Sequence, residues 1–88
     1  MEQEILKISD VATLKALSSP VRMRILGLLR NGDKRTVGQI SAQTGIAPGS
    51  ASYHLQKLEE VGLVRRVDYD EGDHRQSWWE TSPAVIEP

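Results

Sequence analysis

From Thr36 to Gly62 the chain has little freedom to be anything other than two helices joined by a tight turn. Thr36 and Gln39 have capping-box spacing, in which the hydroxyl covers a free amide at a helix start while the amide side chain reaches back to the cap. A short helix therefore begins at about Val37, with Val37, Ile40 and Ala42 as its apolar side. Gly45 is the residue type that takes the left-handed conformation ending a helix, and Ile46 fills the corner. Pro48 suits the first turn of a second helix, where its missing N–H costs nothing. From there Ala51, Leu55 and Leu58 repeat at i, i+4, i+7, a stripe that needs a core to lie against. Ser50, Tyr53, Gln56, Lys57 and Glu60 fall on other faces, and Gly62 closes the helix. The pattern is a helix-turn-helix with a polar outer face on its second helix.

The flanking sequence is organised to supply that core. Asp10 is a good N-cap, and Val11, Leu14 and Leu17 repeat at i, i+3, i+6, which predicts a short helix to about Leu17. Ser19 then caps, and Pro20 opens, a helix reaching about Asn31, with Val21, Ile25, Leu28 and Leu29 on one side and Met23 and Leu26 widening it. Arg22, Arg24 and Arg30 fall largely on other sides, and Asn31-Gly32-Asp33 stops the helix. After Gly62 the period changes from helical to extended. Residues 63–69 and 76–81 are rich in β-branched and aromatic side chains, and the turn-forming stretch 70–75 between them makes a β-hairpin. Two strands alone are marginal in water, so the hairpin must pack on the helices, through Leu63, Val67 or Tyr69 and one of Trp78 and Trp79. The expected fold class is mainly α (α+β): about four helices followed by a two-stranded hairpin wing, a winged helix-turn-helix. Residues 1–9 read as an N-terminal arm, loose or beginning the first helix, residues 10–81 as the winged helix domain, and residues 82–88 as an extended tail.

Bulk properties narrow the function classes without choosing one. A chain of 88 residues has room for one domain and a limited core, so its stability should be modest unless it pairs with a partner. It has no cysteine, which excludes a disulfide framework and a thiolate metal site and fits a reducing, cytoplasmic setting. No apolar run approaches the roughly 20 residues that span a bilayer, and Met-Glu-Gln-Glu is unlike the basic start of a signal peptide. No membrane partner is expected. The net charge of −1 looks wrong for a nucleic-acid binder, but the acids collect at the ends. Between Lys15 and Arg66 there are nine cations against three acids, a basic centre of the kind expected of DNA contact, or an ordinary solvated surface.

Two stretches carry a family resemblance. Leu14 to Leu29, LKALSSPVRMRILGLL, resembles the opening of bacterial winged-helix repressors of the ArsR/SmtB type, and Ser50 to Val64, SASYHLQKLEEVGLV, resembles their recognition helix and the strand that follows. The likeness covers roughly residues 10 to 81. It implies a dimeric transcriptional regulator that sets one recognition helix per subunit into the major groove. Two departures matter. The thiolate box of metal-responsive members is absent, and so is the C-terminal helix through which many members dimerise. The Trp78-Trp79-Glu80 ending is similar to that of relatives carrying this module at the front of a longer chain, so the 88 residues are expected to be a truncated DNA-binding domain.

A helix fits the major groove, and short polar side chains near its N-terminus can approach phosphates or base edges. On this basis Gln56 and Tyr53 are assigned to bases and Ser50 and Ser52 to phosphates, the alternative for Ser52 being packing against a neighbouring helix. The start Ala47-Pro48-Gly49 lacks a strong side-chain cap, so free amides around Pro48 and Gly49 can take a phosphate oxygen, or water instead. Thr36 at the start of the preceding helix is placed with them. Lys57 can reach a phosphate or be merely solvated. Arg65 and Arg66 point to opposite faces of one strand, and Arg66 is assigned to DNA. Arg75 matches a wing position where the resembled family often has Arg. The wing's own Asp68, Asp70, Glu71 and Asp73 would repel phosphate, so the wing should meet DNA at its base or not at all. His54, beside core Leu55, reads as a packed, hydrogen-bonded histidine.

Other chemistries find little support. The acids with His74 fail the spacing of a calcium loop, and no nucleophile with a base, no phosphate-cradling glycine loop and no paired buried carboxylates occur. Neither enzyme activity, cofactor nor metal is expected. The competing reading is a winged helix used for protein interaction without specific DNA binding, suggested by the tryptophan pair, only one of which a single layer can bury. A third is an effector-sensing repressor whose ligand site lies outside this chain.

Overall fold

The computed structural model describes the backbone of residues 5–7, 10–71, 74–82 and 85–87, and the side chains of residues 10–30, 32–69 and 76–82. Chain order is β1 (Ile5–Lys7), α1 (Val11–Leu17), α2 (Pro20–Leu29), a 3-10 turn (Arg30–Gly32), α3 (Val37–Thr44), α4 (Pro48–Glu60), β2 (Val64–Glu71), β3 (His74–Thr81) and β4 (Val85–Glu87). This is a winged helix-turn-helix of four helices and an antiparallel hairpin. No helix among the described residues is long and apolar enough to cross a membrane.

Local chemistry sets most of the helix ends. Asp10 caps α1 by accepting from the Ala12 N–H, and Ser19 caps α2 by accepting from the Arg22 N–H, with Pro20 in its first turn. The capping box of α3 is complete: the Gln39 N–H donates to Thr36 Oγ1 at 3.1 Å, and the Thr36 N–H donates to Gln39 Oε1 at 3.0 Å. Gly45 ends α3 at φ +79°, and Ser41 Oγ donates to the Ile46 carbonyl at 2.6 Å to fasten the turn into α4. At the far end of α4 the Leu63 N–H donates to the Leu58 carbonyl and the Gly62 N–H to the Glu59 carbonyl, a Schellman motif around Gly62 at φ +79°.

The core gathers at the crossing of α2, α3, α4 and the hairpin: Ile25, Leu29, Ile40, Ala51, Leu55 and Leu58 are fully buried, with Val64 and Trp79 sealing one side. Burial of this kind is worth about 1.5–3 kcal/mol per large aliphatic side chain. The hairpin pairs Val64 with Thr81 through Glu71 with His74. Arg35 adds an isolated bridge to Trp79, its N–H donating at 3.0 Å and its carbonyl accepting at 2.8 Å, which ties the wing to the start of α3.

Three expectations need correcting. The hairpin packs, as expected, through one tryptophan, Trp79, with Leu63 against the core, but it is Val64 on the face of Trp79 that is buried, whereas Tyr69 stands 38% exposed on the other face, where its hydroxyl accepts from Lys34 Nζ at 2.9 Å. Both parities of the first strand carry apolar residues, and the turn at Gly62 decides between them. The strands also continue through residues expected to form the loop, pairing Asp70 with Arg75 and Glu71 with His74. In α1, Thr13 and Ala16 are buried while Val11 and Leu14 are 69% and 47% exposed. Small side chains let α1 lie close to its neighbours, and the larger apolar pair is turned outward. In addition, Ile5–Lys7 and Val85–Glu87 pair as short parallel strands, so the arm is strand rather than helix where it is described.

Candidate nucleic-acid interface

The inward stripe of α4 leaves its opposite side open, and the described residues of the hairpin do not cover it. Pro48, Gly49, Ser50, Tyr53 and Gln56 are exposed, and Ser52 and Lys57 are half-buried. Ala47 makes no side-chain cap bond, and among the described residues no side chain is hydrogen-bonded to the amides of the helix start. Gln56 has no hydrogen-bond partner among the described residues, and its amide can both donate and accept. Thr36 is half-buried, and its oxygen is engaged as the cap of α3.

Tyr53 and Lys57 lean toward α1 rather than straight out. Lys57 Nζ lies 5.5 Å from the centre of the Tyr53 ring and 3.7 Å from Glu60 Oε1. The edge of Tyr53 meets His54, with ring centres 5.4 Å apart. His54 in turn accepts, at Nδ1, the Nε–H of Arg22 at 3.1 Å, which fixes its proton on the other nitrogen. Burial and, secondarily, the Arg22 charge lower the His54 pKa. The histidine expected to be packed and hydrogen-bonded is so, joining α4 to α2.

On the wing the two arginines differ. Arg65 Nε is bound at 2.6 Å to Glu80, whose side chain is only 10% exposed, so Arg65 serves the hairpin itself. Arg66 is on the other face and more loosely held, with Nε 3.4 Å from Asp68. The side chain of Arg75 lies outside the described residues, as do those of Asp70, Glu71, Asp73 and His74. Among the described residues no three His, Cys, Asp or Glu side chains gather as a metal site would require.

Sequence reasoning missed the part of this surface contributed by α1 and α2. Lys15, Ser18 and Arg22 line an open groove with Tyr53, Lys57 and Glu60, against Ala12, Ala16 and Val61. Helical periodicity counts Arg22 among outward cations, whereas its contact with His54, 32 positions away, exists only in three dimensions.

Comparison with known proteins agrees with this geometry. The family described as a helix-turn-helix domain matches residues 17–67. The transcriptional repressor SdpR of Bacillus subtilis is 37% identical over 62 residues, 70% of this chain and 60% of that protein. The HTH-type transcriptional regulator YgaV of Escherichia coli is 34% identical over 53 residues, 60% of this chain and 54% of that protein. The chain thus spans little more than half the length of these relatives. Fragment 1–100 of Mb0332 from Mycobacterium bovis, described as a homodimeric winged helix-turn-helix DNA-binding domain of a possible ArsR-family regulator, superposes with a TM-score of 0.66 at 33% identity, covering 80% of this chain and 60% of that one. With more than half its length matched by the domain family and its fold shared with such regulators, the chain belongs to the ArsR-like winged helix-turn-helix transcriptional regulators.

Proposed function

We propose that this chain is the DNA-reading part of a bacterial transcriptional regulator and lays α4 in the major groove of a specific duplex. The observation that carries the reading is the outer side of α4: Ser50, Tyr53 and Gln56 exposed together beside an uncapped helix start, on a helix whose opposite stripe is fully buried. Gln56 faces bases, Ser50 and Ser52 with the amides near Pro48 and Gly49 hold phosphates, and Thr36, Lys57 and Tyr53, which leans toward α1, flank them. Arg66 meets the backbone from near the base of the wing, and Arg75, which pairs with Asp70, from near its tip. Repression, the role in the name of SdpR, is the expected output. Two copies pair, as the Mb0332 fragment is homodimeric, and in this chain the surface offered for it is the outer side of α1, where Val11 and Leu14 are exposed.

The test is a binding series on duplexes at several salt concentrations. Affinity should fall with salt at a log–log slope of about −0.9 per phosphate neutralised. Gln56→Ala should cost about 1–3 kcal/mol at one base position, whereas Lys57→Ala should weaken all sequences alike and reduce the slope by about one. A chain that binds no duplex at low salt is an interaction module instead.

A further inference from the structure

We propose that the groove between α1, α2 and α4 is a seat for a phosphate group, built around Arg22. Four described cations have a carboxylate within ion-pair distance: Arg35, Lys57, Arg65 and Arg66. Arg22 is half-buried and has none among the described residues, although a buried charge without a counter-ion is costly. Its guanidinium is nevertheless held fast. Nε donates to His54 Nδ1 at 3.1 Å, and Nη1 donates to the Lys15 and Ala16 carbonyls at the end of α1, both at 3.4 Å. That leaves the two N–H groups of Nη2 without a partner among the described residues, on a fork whose orientation is already set.

The groove has a volume of about 410 Å³ and is lined by Lys15, Arg22 and Lys57 against the single acid Glu60. Tyr53 also lines it, and its hydroxyl has no partner among the described residues. The Ser18 hydroxyl donates to the Lys15 carbonyl at 2.7 Å, so it can only accept and does not serve an anion. Arg22 Nη2, Lys15 Nζ, Lys57 Nζ and the Tyr53 O–H together make a donor set for a tetrahedral phosphate, the singly charged diester of a duplex or a more highly charged monoester. Charge-assisted bonds of this kind are about twice as strong as neutral ones. Glu60 is 64% exposed and pairs only loosely with Lys57, so it can swing away as the anion enters.

The phosphate has two sources, the backbone of the duplex beside α4 or a free phosphomonoester. The first rests on the DNA reading above; the second does not. For the free source, inorganic phosphate and glycerol phosphate are titrated into the whole chain without DNA, against chloride at equal ionic strength, with heteronuclear NMR on Arg22 Nε and the Lys15, Ser18 and Lys57 amides. Saturable shifts at these positions are expected. Lys15→Ala should weaken them about tenfold, the loss of one charge-assisted contact, and Glu60→Gln should tighten them. For the duplex source, Lys15→Ala should lower the salt slope by about one on every sequence. A response in either arm supports the seat and identifies its source. Phosphate shifts no larger than those of chloride, together with an unchanged slope, overturn it. If Gln56→Ala still acts at one base position in the same assay, the groove falls and the recognition helix stands.

Discussion

Arg22 and His54 show how one contact couples a permanent charge to a titratable group at the root of the recognition helix. The Nε–H of Arg22 needs an unprotonated Nδ1, and protonation would replace an acceptor with a like charge at 3.1 Å. Because burial first and Arg22 second lower the folded pKa of His54, the unfolded chain binds the proton more readily. The stabilisation is therefore complete above the unfolded value of 6.5 and is lost as pH falls through it toward the folded value. Among the described residues the charge acting on the ring is Arg22 from α2, which is of the same sign as a protonated imidazole. In His54→Asn the amide oxygen can take the place of Nδ1 and cannot titrate. The thermal midpoint of the wild type should fall as the pH drops below 6.5, while that of His54→Asn should fall less over the same range. Equal slopes in the two proteins would show that other groups govern the acid side.

At the scale of elements, one chemical change should act in opposite directions at two glycines. Gly27 lies exposed within α2, and a Cβ there would meet nothing within 4 Å, so Gly27→Ala should stabilise by about 0.5–1 kcal/mol through the unfolded chain. Gly45 has equally open space but sits at φ +79°, so Gly45→Ala should destabilise by about 1–2 kcal/mol through backbone strain alone. Chemical denaturation of both variants checks the pair. The same contrast explains what was legible in the sequence. The capping box, Gly45, Pro48 and the stripe Ala51, Leu55, Leu58 each specify a local conformation through the chemistry of one or two side chains, and each is found as read. The inward parity of the hairpin and the inward side of α1 depend on how elements approach one another. Val64 and Val67 are chemically alike, and in α1 the small Thr13 and Ala16 are buried in place of the larger Val11 and Leu14 only because its neighbours lie close, so pattern alone could not choose. The outer residues of α4 could be named because a buried stripe defines its own opposite side; the groove at Arg22 could not, being assembled from three helices.

For the whole molecule, the exposed pair on α1 bears on pairing. Val11 and Leu14 are one helical turn apart, at 69% and 47% exposed, and nothing within the described residues covers them. Paired through this side, two copies would present two α4 helices to one face of a duplex, which requires half-sites about 34 Å apart. The apolar area available is small, so pairing should be weak and should rise with protein concentration or on DNA. Sedimentation equilibrium should show a dimer whose dissociation constant rises at least about tenfold in the double variant Val11→Glu, Leu14→Glu, because each subunit would bring two like charges into the interface. Both positions face outward, so the thermal midpoint of the dilute, monomeric protein should move little. The discriminating measurement is binding to a duplex with two half-sites against one with a single half-site. The double variant should lose affinity for the first much more than for the second, since only the first uses the contact between copies. Equal losses on both duplexes would place Val11 and Leu14 in the folding of α1 or in contact with DNA, and pairing would then have to be sought on another face.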